Sequence, residues 1–348
     1  MNIRYIRALQ TAVALASCAL PLVAQTPLPS PQKLVIFDTD IGDDVDDAFA
    51  LGLLLSSPDV KLAGITTGWG DTTLRAALTQ RFLCETGREE IPVFAGRKTT
   101  PRPDAPFTQR LWASNFGGPQ QSWPDAISFA LDTIRKNPSA VTLISVSPLS
   151  NIGAMIDKDP ETFRRLKSVV IMGGSIRAGY GDLGYAPAHG IDSEYNIRLD
   201  PVSAQKLFAS GVPLYVMPLD STQLKFDEVK RNAFFNQDTP LINTMMELYH
   251  QWTASTRDPT PTFYDVVAIA QAIDPAVCPT QPIHIEVDKD GYTRETPGAP
   301  NANVCMKVDS ERFFSMYFDQ LLSPQAKALH PGRTCRSSTA GATIGSTH

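Results

Sequence analysis

Positive charge is the first shortage: 31 lysines and arginines face 36 aspartates and glutamates, which leaves the 348-residue chain at −5. A nucleic-acid footprint needs a basic stripe, so no polymeric nucleic-acid partner is expected. Long apolar runs are missing too. Beyond residue 24 no segment approaches the ~18 apolar residues of a membrane span, so no transmembrane segment is expected. Cysteines number five, and none stands in C-x-x-C or Cys/His metal spacing, which removes zinc sites and thioredoxin-like chemistry. There is no P-loop and no G-x-S-x-G elbow. The G-x-G-x-x-G match at Gly179 to Gly184 follows no strand and opens no helix, so it reads as a loop, not a dinucleotide site.

What is present begins with a leader. Arg4 and Arg7 precede an apolar Ala8 to Ala24 segment, and Leu22-Val23-Ala24 offers a cleavage site, the pattern of a secretory signal peptide over 1–24. The protein is therefore expected to be exported, periplasmic or secreted. Leu15-Ala16-Ser17-Cys18 also has the form of a lipobox, which would make Cys18 a lipid anchor. A Pro-rich linker, 25–33, leads to one large domain, 34–330, and a Ser/Thr/Gly-rich tail, 331–348, expected to be disordered. Export permits disulfides. Cys278 with Cys305 is the favoured pair, and Cys84, on the apolar side of a helix, is expected as a buried thiol.

The chain is organised around LVIFDTDIGDDVDDAFALGLLL, where six of the ten residues from Asp38 to Asp47 are aspartates. Leu34 to Phe37 reads as a buried strand and Ala48 to Leu55 as a helix face, so the aspartates occupy the turn at a strand's carboxyl end. Open α/β sheets place their ligand crevice there. Asp43, Asp44 and Asp46 could each be a helix cap or a first-turn charge, but one helix needs one cap. Carboxylates this close raise one another's pKa unless a positive charge holds them, and hard oxygen donors suit Ca²⁺ or Mg²⁺. An EF-hand is excluded: counted from Asp38, Gly42 falls at position five and Phe49 at position twelve.

Strand and helix patterns then alternate four or five times with short connectors. That predicts an α/β fold with an open, mostly parallel, Rossmann-like central sheet and helices on both faces. The aperiodic stretch from Gly96 to Ser122 has the length of a lid or a site-flanking loop. Asp227 to Ser255 reads as mainly helical, and Ile283 to Val287 with Arg294 onward as an edge hairpin. The strand exits at Asp38 to Asp47, Asp71, Ser150 and the segment after Met172 are expected to share one crevice.

The ordered set DTDIGDDVDDAFAL, SPLSN (Ser147 to Asn151), VIMGG (Val170 to Gly174), SEYN (Ser193 to Asn196) with Asp200-Pro201, and Tyr264-Asp265 resembles the nucleoside hydrolases of the inosine-uridine-preferring superfamily, over Leu34 to Asp274. The resemblance implies Ca²⁺-dependent hydrolysis of the N-glycosidic bond of ribonucleosides. It implies metal ligation by Asp40, Asp47, the Ser150 carbonyl and Asp265, with Asp40 also the general base. Asp46, Glu194 and Asn196 would hold ribose hydroxyls, Met172 would line the pocket, and Asp71 stands where many members carry Asn. Family members often form dimers or tetramers, so a homo-oligomer is expected. Breaking a ribosyl C–N bond builds oxocarbenium-like charge that carboxylates stabilise, and a metal lowers the pKa of water.

Three departures stand out. Ile41 replaces the usual Pro, and the turn is two residues longer, so Asp44 is an alternative ligand. Tyr264 stands where members often carry a His acid, and a phenol near 10 donates a proton less readily than an imidazole near 6.5. His189, Trp69, Trp112 or Tyr185 are the candidate substitutes. Two rival readings are a haloacid-dehalogenase-type phosphatase, with Asp38 as nucleophile, and an exported Ca²⁺-dependent nucleoside- or sugar-binding protein without turnover.

Overall fold

The apolar run at Leu34 is the middle of a strand, β1 (Lys33–Thr39), buried from Val35 onward. In the computed structural model, residues 32–331 are described apart from 100–106, 115–121, 184–186 and 188. The leader with Cys18, the tail beyond 331 and Tyr185 lie outside the described residues. β1 pairs in parallel with β2 (Val60–Thr67) on one side and, across the chain, with β4 (Val141–Ser145) on the other. Beyond β2 lies β3 (Val93–Ala95), and beyond β4 come β5 (Ser168–Met172) and β6 (Leu214–Met217). The chain thus winds outward one way from β1 and then the other way from β4. Strand order reverses between those two, which opens a crevice at their carboxyl ends.

Helices cover both faces. Helix Asp46–Ser56 packs with Tyr264–Ile273, Pro240–Thr256 and Ser310–Leu321 in one apolar core. Ala126–Lys136, Ser150–Lys158 and Pro201–Phe208 build the other. All residues of Asp46–Ser56 are buried, so this helix is a core element with no solvent face, which is why its sequence is apolar without period. Asp227 to Ser255 divides into Glu228–Phe235 and Pro240–Thr256; Thr239 caps the second through its side chain, with Pro240 in the first turn. Among its described residues the aperiodic stretch holds one short helix, Arg110–Ser114.

The hairpin expected over Ile283 to Val287 and Arg294 onward forms, but apart from the main sheet and not at its edge. β7 (Thr280–Ile283) is the antiparallel outer edge of the main sheet. β8 (Ile285–Val287) and β9 (Thr293–Glu295) pair as a separate two-stranded sheet. β10 (Ala302–Cys305) inserts between β6 and β7, parallel to β6. Four residues, ANVC, carry too little alternation to announce an inserted strand. The Cys278–Cys305 disulfide is formed, with a Cα–Cα distance of 5.7 Å. Cys84 is buried but disulfide-bonded, which corrects the expectation of a thiol. Among the described residues no helix is long and apolar enough to cross a membrane.

Candidate active site

At the exit of β1 the aspartates divide by environment. Asp38 is fully buried and lies in register with Thr66 on β2 and Ser145 on β4. Its carboxylate accepts from Thr66 Oγ1 (2.6 Å), Asn151 Nδ2 (2.7 Å), Ser145 Oγ (2.9 Å) and Ser147 Oγ (3.1 Å). Those donors weld three strand ends together and leave no free oxygen for a nucleophile, which removes the phosphatase reading. The longer turn that follows is held from behind by its backbone. Arg75 donates to the carbonyls of Asp40, Ile41 (3.1 Å) and Trp69 (2.9 Å) and pairs with Asp43 at 2.9 Å. Thr108 and Gln109 take the carbonyls of Asp43 (2.8 Å) and Asp44 (2.7 Å). Gly42, at φ +126°, has Phe107 pressed so close that a Cβ would sit 1.7 Å from its ring; no other residue fits there.

Val45, not an aspartate, occupies the cap position of helix Asp46–Ser56, and no side chain caps that helix. The cap half of the cap-or-first-turn reading therefore fails, while Asp46 does stand in the first turn with Asp47; Asp43 is held by Arg75 and Asp44 accepts from Val45 N at 2.7 Å. Oxygens of Asp46, Asp47 and Asp265 lie within 4.8 Å of one another, all buried. Asp265 comes from the first turn of Tyr264–Ile273, and its N–H donates to Asp46 Oδ2 at 3.1 Å, joining segments 219 residues apart. Thr39 Oγ1 donates to Asp47. Asp40 and Asp44 line the same cavity, of about 440 Å³, but fall outside the tightest trio, in which Asp46 stands where Asp40 was expected.

Burial raises the carboxyls of Asp40, Asp46, Asp47 and Asp265 well above the ordinary range, and their mutual repulsion raises them further. Arg75 opposes this for Asp40 and Asp47. Burial also lifts Asp44, to about 6. Four buried carboxylates against one guanidinium leave an uncompensated negative charge, and the donors are all hard oxygens. This set fits a hard divalent cation.

Of the other expected residues, Met172, Glu194, Asn196 and Tyr264 line the cavity. Glu194 caps the helix Tyr195–Leu199, accepting from Asn196 N (2.9 Å) and Ile197 N (3.1 Å), and also takes Gly174 N (2.9 Å). Asn196 Nδ2 donates to the carbonyls of Met172 (3.1 Å) and Val146 (3.2 Å), which fixes its amide plane. Tyr264 meets Tyr180 edge-on, centroids 6.1 Å apart, and burial pushes its phenol up to about 12.

Three expectations are corrected. Ser150 is not on the cavity wall, because it opens helix Ser150–Lys158; Val146, at the β4 exit, presents the strand-end residue there instead. Asp71 also stays outside the wall, its carboxylate spent on capping Thr72–Glu85 through Leu74 N (3.3 Å) and on Thr73 Oγ1 (2.7 Å). His189 is half exposed between Asp182 (2.9 Å) and Asp192 (3.0 Å), which raise its pKa, and it does not reach the cavity. Of the indoles proposed as substitutes, Trp69 lines the cavity, whereas Trp112 stacks under Arg81 at 4.1 Å. Sequence reasoning missed Tyr180, Tyr195, Arg198 and Trp252 on the wall. The last sits on the buried side of a long helix, where a core role and a cavity role look alike.

A family model described as inosine-uridine preferring nucleoside hydrolase matches residues 35–315. The pyrimidine-specific ribonucleoside hydrolase RihA of Citrobacter koseri is 29% identical over 317 residues, 82% of this chain and 97% of its own. An uncharacterized protein of Schizosaccharomyces pombe is 36% identical over 213 residues, 57% of this chain and 65% of its own length. Among solved structures, the plant nucleoside hydrolase PpNRh1 aligns with a TM-score of 0.72 at 23% identity, over 84% of this chain and 100% of its own. The parallel sheet, its crevice and these matches define a hydrolase acting on N-glycosyl compounds. The chain belongs to the inosine-uridine preferring nucleoside hydrolase family.

Proposed function

We propose that the protein cleaves the N-glycosidic bond of ribonucleosides with water, and that it does so with Ca²⁺. The observation that carries this reading is the convergence of Asp46, Asp47 and Asp265, buried and within 4.8 Å, beside Asp40. Asp40, Asp47 and Asp265, with Asp46 alongside and the Val146 carbonyl at the strand exit, are the oxygens that would hold the ion. When bound, such an ion polarises and orients water and lowers its pKa. Asp40 accepts the proton of the attacking water. Asp46, Glu194 and Asn196 hold the ribose hydroxyls, and the surrounding carboxylates stabilise the positive charge that develops on the sugar. Tyr264, with its phenol pushed up to about 12, is a weak acid, so it packs against the leaving base with Tyr180 and does not protonate it. The disulfide Cys278–Cys305 supports an exported protein, since such bonds persist in oxidising compartments.

The weak acid at Tyr264 also supports the second reading, a Ca²⁺-dependent nucleoside-binding protein without turnover. A reducing-sugar assay over purine and pyrimidine nucleosides, with and without chelator, separates the two. Ribose release that stops with chelator and returns with Ca²⁺ is expected. Binding without release across the panel would replace the enzyme reading by the binding one.

A further inference from the structure

Seven carboxylates line the cavity, and among the described residues one basic side chain does, Arg198. It belongs to helix Tyr195–Leu199, four residues after Glu194, a spacing at which Glu and Arg ordinarily pair. Glu194 is turned inward instead, accepting from the N–H groups of Asn196, Ile197 and Gly174. Arg177 and Arg294, on neighbouring segments, hold Glu295 at 2.8 Å and Asp288 at 3.2 Å. The Arg198 guanidinium has neither a hydrogen bond nor an ion pair among the described residues, and its side chain is exposed at the cavity mouth.

Its charge is nonetheless felt by Glu194, Tyr180 and Tyr195. The Tyr180 hydroxyl accepts from Tyr195 N at 3.1 Å, so its own proton remains available to a ligand. Burial holds both phenols in their protonated, donating form. A guanidinium fork and a phenol at one mouth make a recognition set for an anion. In a cavity this acidic, an anionic group on the substrate is tolerated only at that end.

We propose that Arg198 binds an anionic substituent of the substrate, and that the substrate class is the 5′-phosphorylated ribonucleosides. The proposal rests on the ribonucleoside-hydrolase reading. It places the anion on the sugar because Arg198 shares its short helix with Asn196 and follows Glu194, the residues assigned to the ribose hydroxyls. A carboxylate carried by the base would present the same chemistry from the other side of the glycosidic bond.

The test is steady-state kinetics of ribose or ribose 5-phosphate release. Uridine, inosine, their 5′-monophosphates and orotidine, whose base carries a carboxylate, are compared at fixed Ca²⁺ with wild type, Arg198→Gln and Arg198→Lys. Wild type is expected to favour each monophosphate over its nucleoside by roughly tenfold or more in kcat/KM, mainly through KM, as one charge-assisted hydrogen-bond pair allows. Arg198→Gln is expected to abolish that ratio and Arg198→Lys to restore part of it. Equal rates for nucleosides and monophosphates in wild type would overturn the proposal, as would a ratio that Arg198→Gln leaves unchanged. A preference for orotidine alone would overturn the sugar-phosphate assignment and move the anion to the base. Silence on every compound would instead defeat the ribonucleoside-hydrolase reading beneath it.

Discussion

Asp38 and Asp40 stand two residues apart on one strand exit, both buried, yet they belong to different regions of the molecule. Asp38 lies under the sheet edge with four donors on its carboxylate. Asp40 faces the cavity with Asp46, Asp47 and Asp265, where burial raises each pKa and carboxylates meeting carboxylates raise it further. Burial does not separate the two regions; satisfaction does. A buried carboxylate ringed by hydroxyls and amides is a structural joint. Buried carboxylates that repel one another persist only where the surrounding fold holds them, and such groups are where function concentrates.

Substitution on the two sides of that divide should give opposite patterns. Asp40→Asn is expected to lower kcat by about 10²–10⁴, the usual cost of losing a general base, while the fold survives because one repelling charge is gone. Circular dichroism melting in the absence of metal should show an unchanged or raised Tm. A kcat within threefold of wild type would remove Asp40 from the chemistry. Asp38→Ala should do the reverse. Four stranded donors at the sheet edge cost roughly 1–3 kcal/mol or more, read as a lowered denaturant midpoint, whereas Ca²⁺ binding by calorimetry should persist in the fraction that folds. If Asp38→Ala abolished Ca²⁺ binding in folded protein, Asp38 would belong to the ion site and not to the strand joint alone.

The C-terminal third offers a covalent counterpart. The Cys278–Cys305 bond closes a loop of sequence separation 27 and joins the first turn after Tyr264–Ile273 to β10. Removing both cysteines should cost about 3–4 kcal/mol on chain-entropy grounds. Chemical denaturation checks this, and kcat of the folded variant should stay unchanged. A lowered kcat at full folding would show that β10 positions the cavity as well as closing the sheet.

How much of this was readable beforehand follows the same line. The acidic turn, the helix behind it and the alternating strands announce themselves through composition and period. The cavity residues Asp40, Asp46, Asp47, Glu194, Asn196 and Asp265 follow from motif order. Ser150 and Asp71 were misplaced because both sit next to a strand exit in sequence, and a helix start then turns each away from the crevice. Arg75 was not singled out: a lone arginine in an ordinary helix carries no local sign that it will reach the backbone of a turn some 35 residues upstream. Strand β10 was missed because its position comes from sheet pairing and a disulfide, not from its own four residues.

The smallest expected effect is a dependence on pH, and it reads the charge state of the cavity carboxylates most directly. Folding raises the pKa of Asp40, Asp44, Asp46, Asp47 and Asp265. A carboxyl whose folded pKa lies above its unfolded value of about 3.9 adds stability that is complete below the unfolded pKa and is lost as pH rises through the folded one. For Asp44 that window runs from about 4 to about 6, and the four more strongly raised groups extend it upward. Metal-free protein should therefore melt at a lower temperature at pH 7.5 than at pH 5.5. Saturating Ca²⁺ should reverse the order, because the ion binds the deprotonated carboxylates and its binding releases protons. Scanning calorimetry at the two pH values, with chelator and then with Ca²⁺, reads both slopes. Parallel slopes would mean that the cavity carboxylates are already neutralised within the protein, as Asp38 is satisfied by its hydroxyl and amide donors, and would leave the cation no charge to answer.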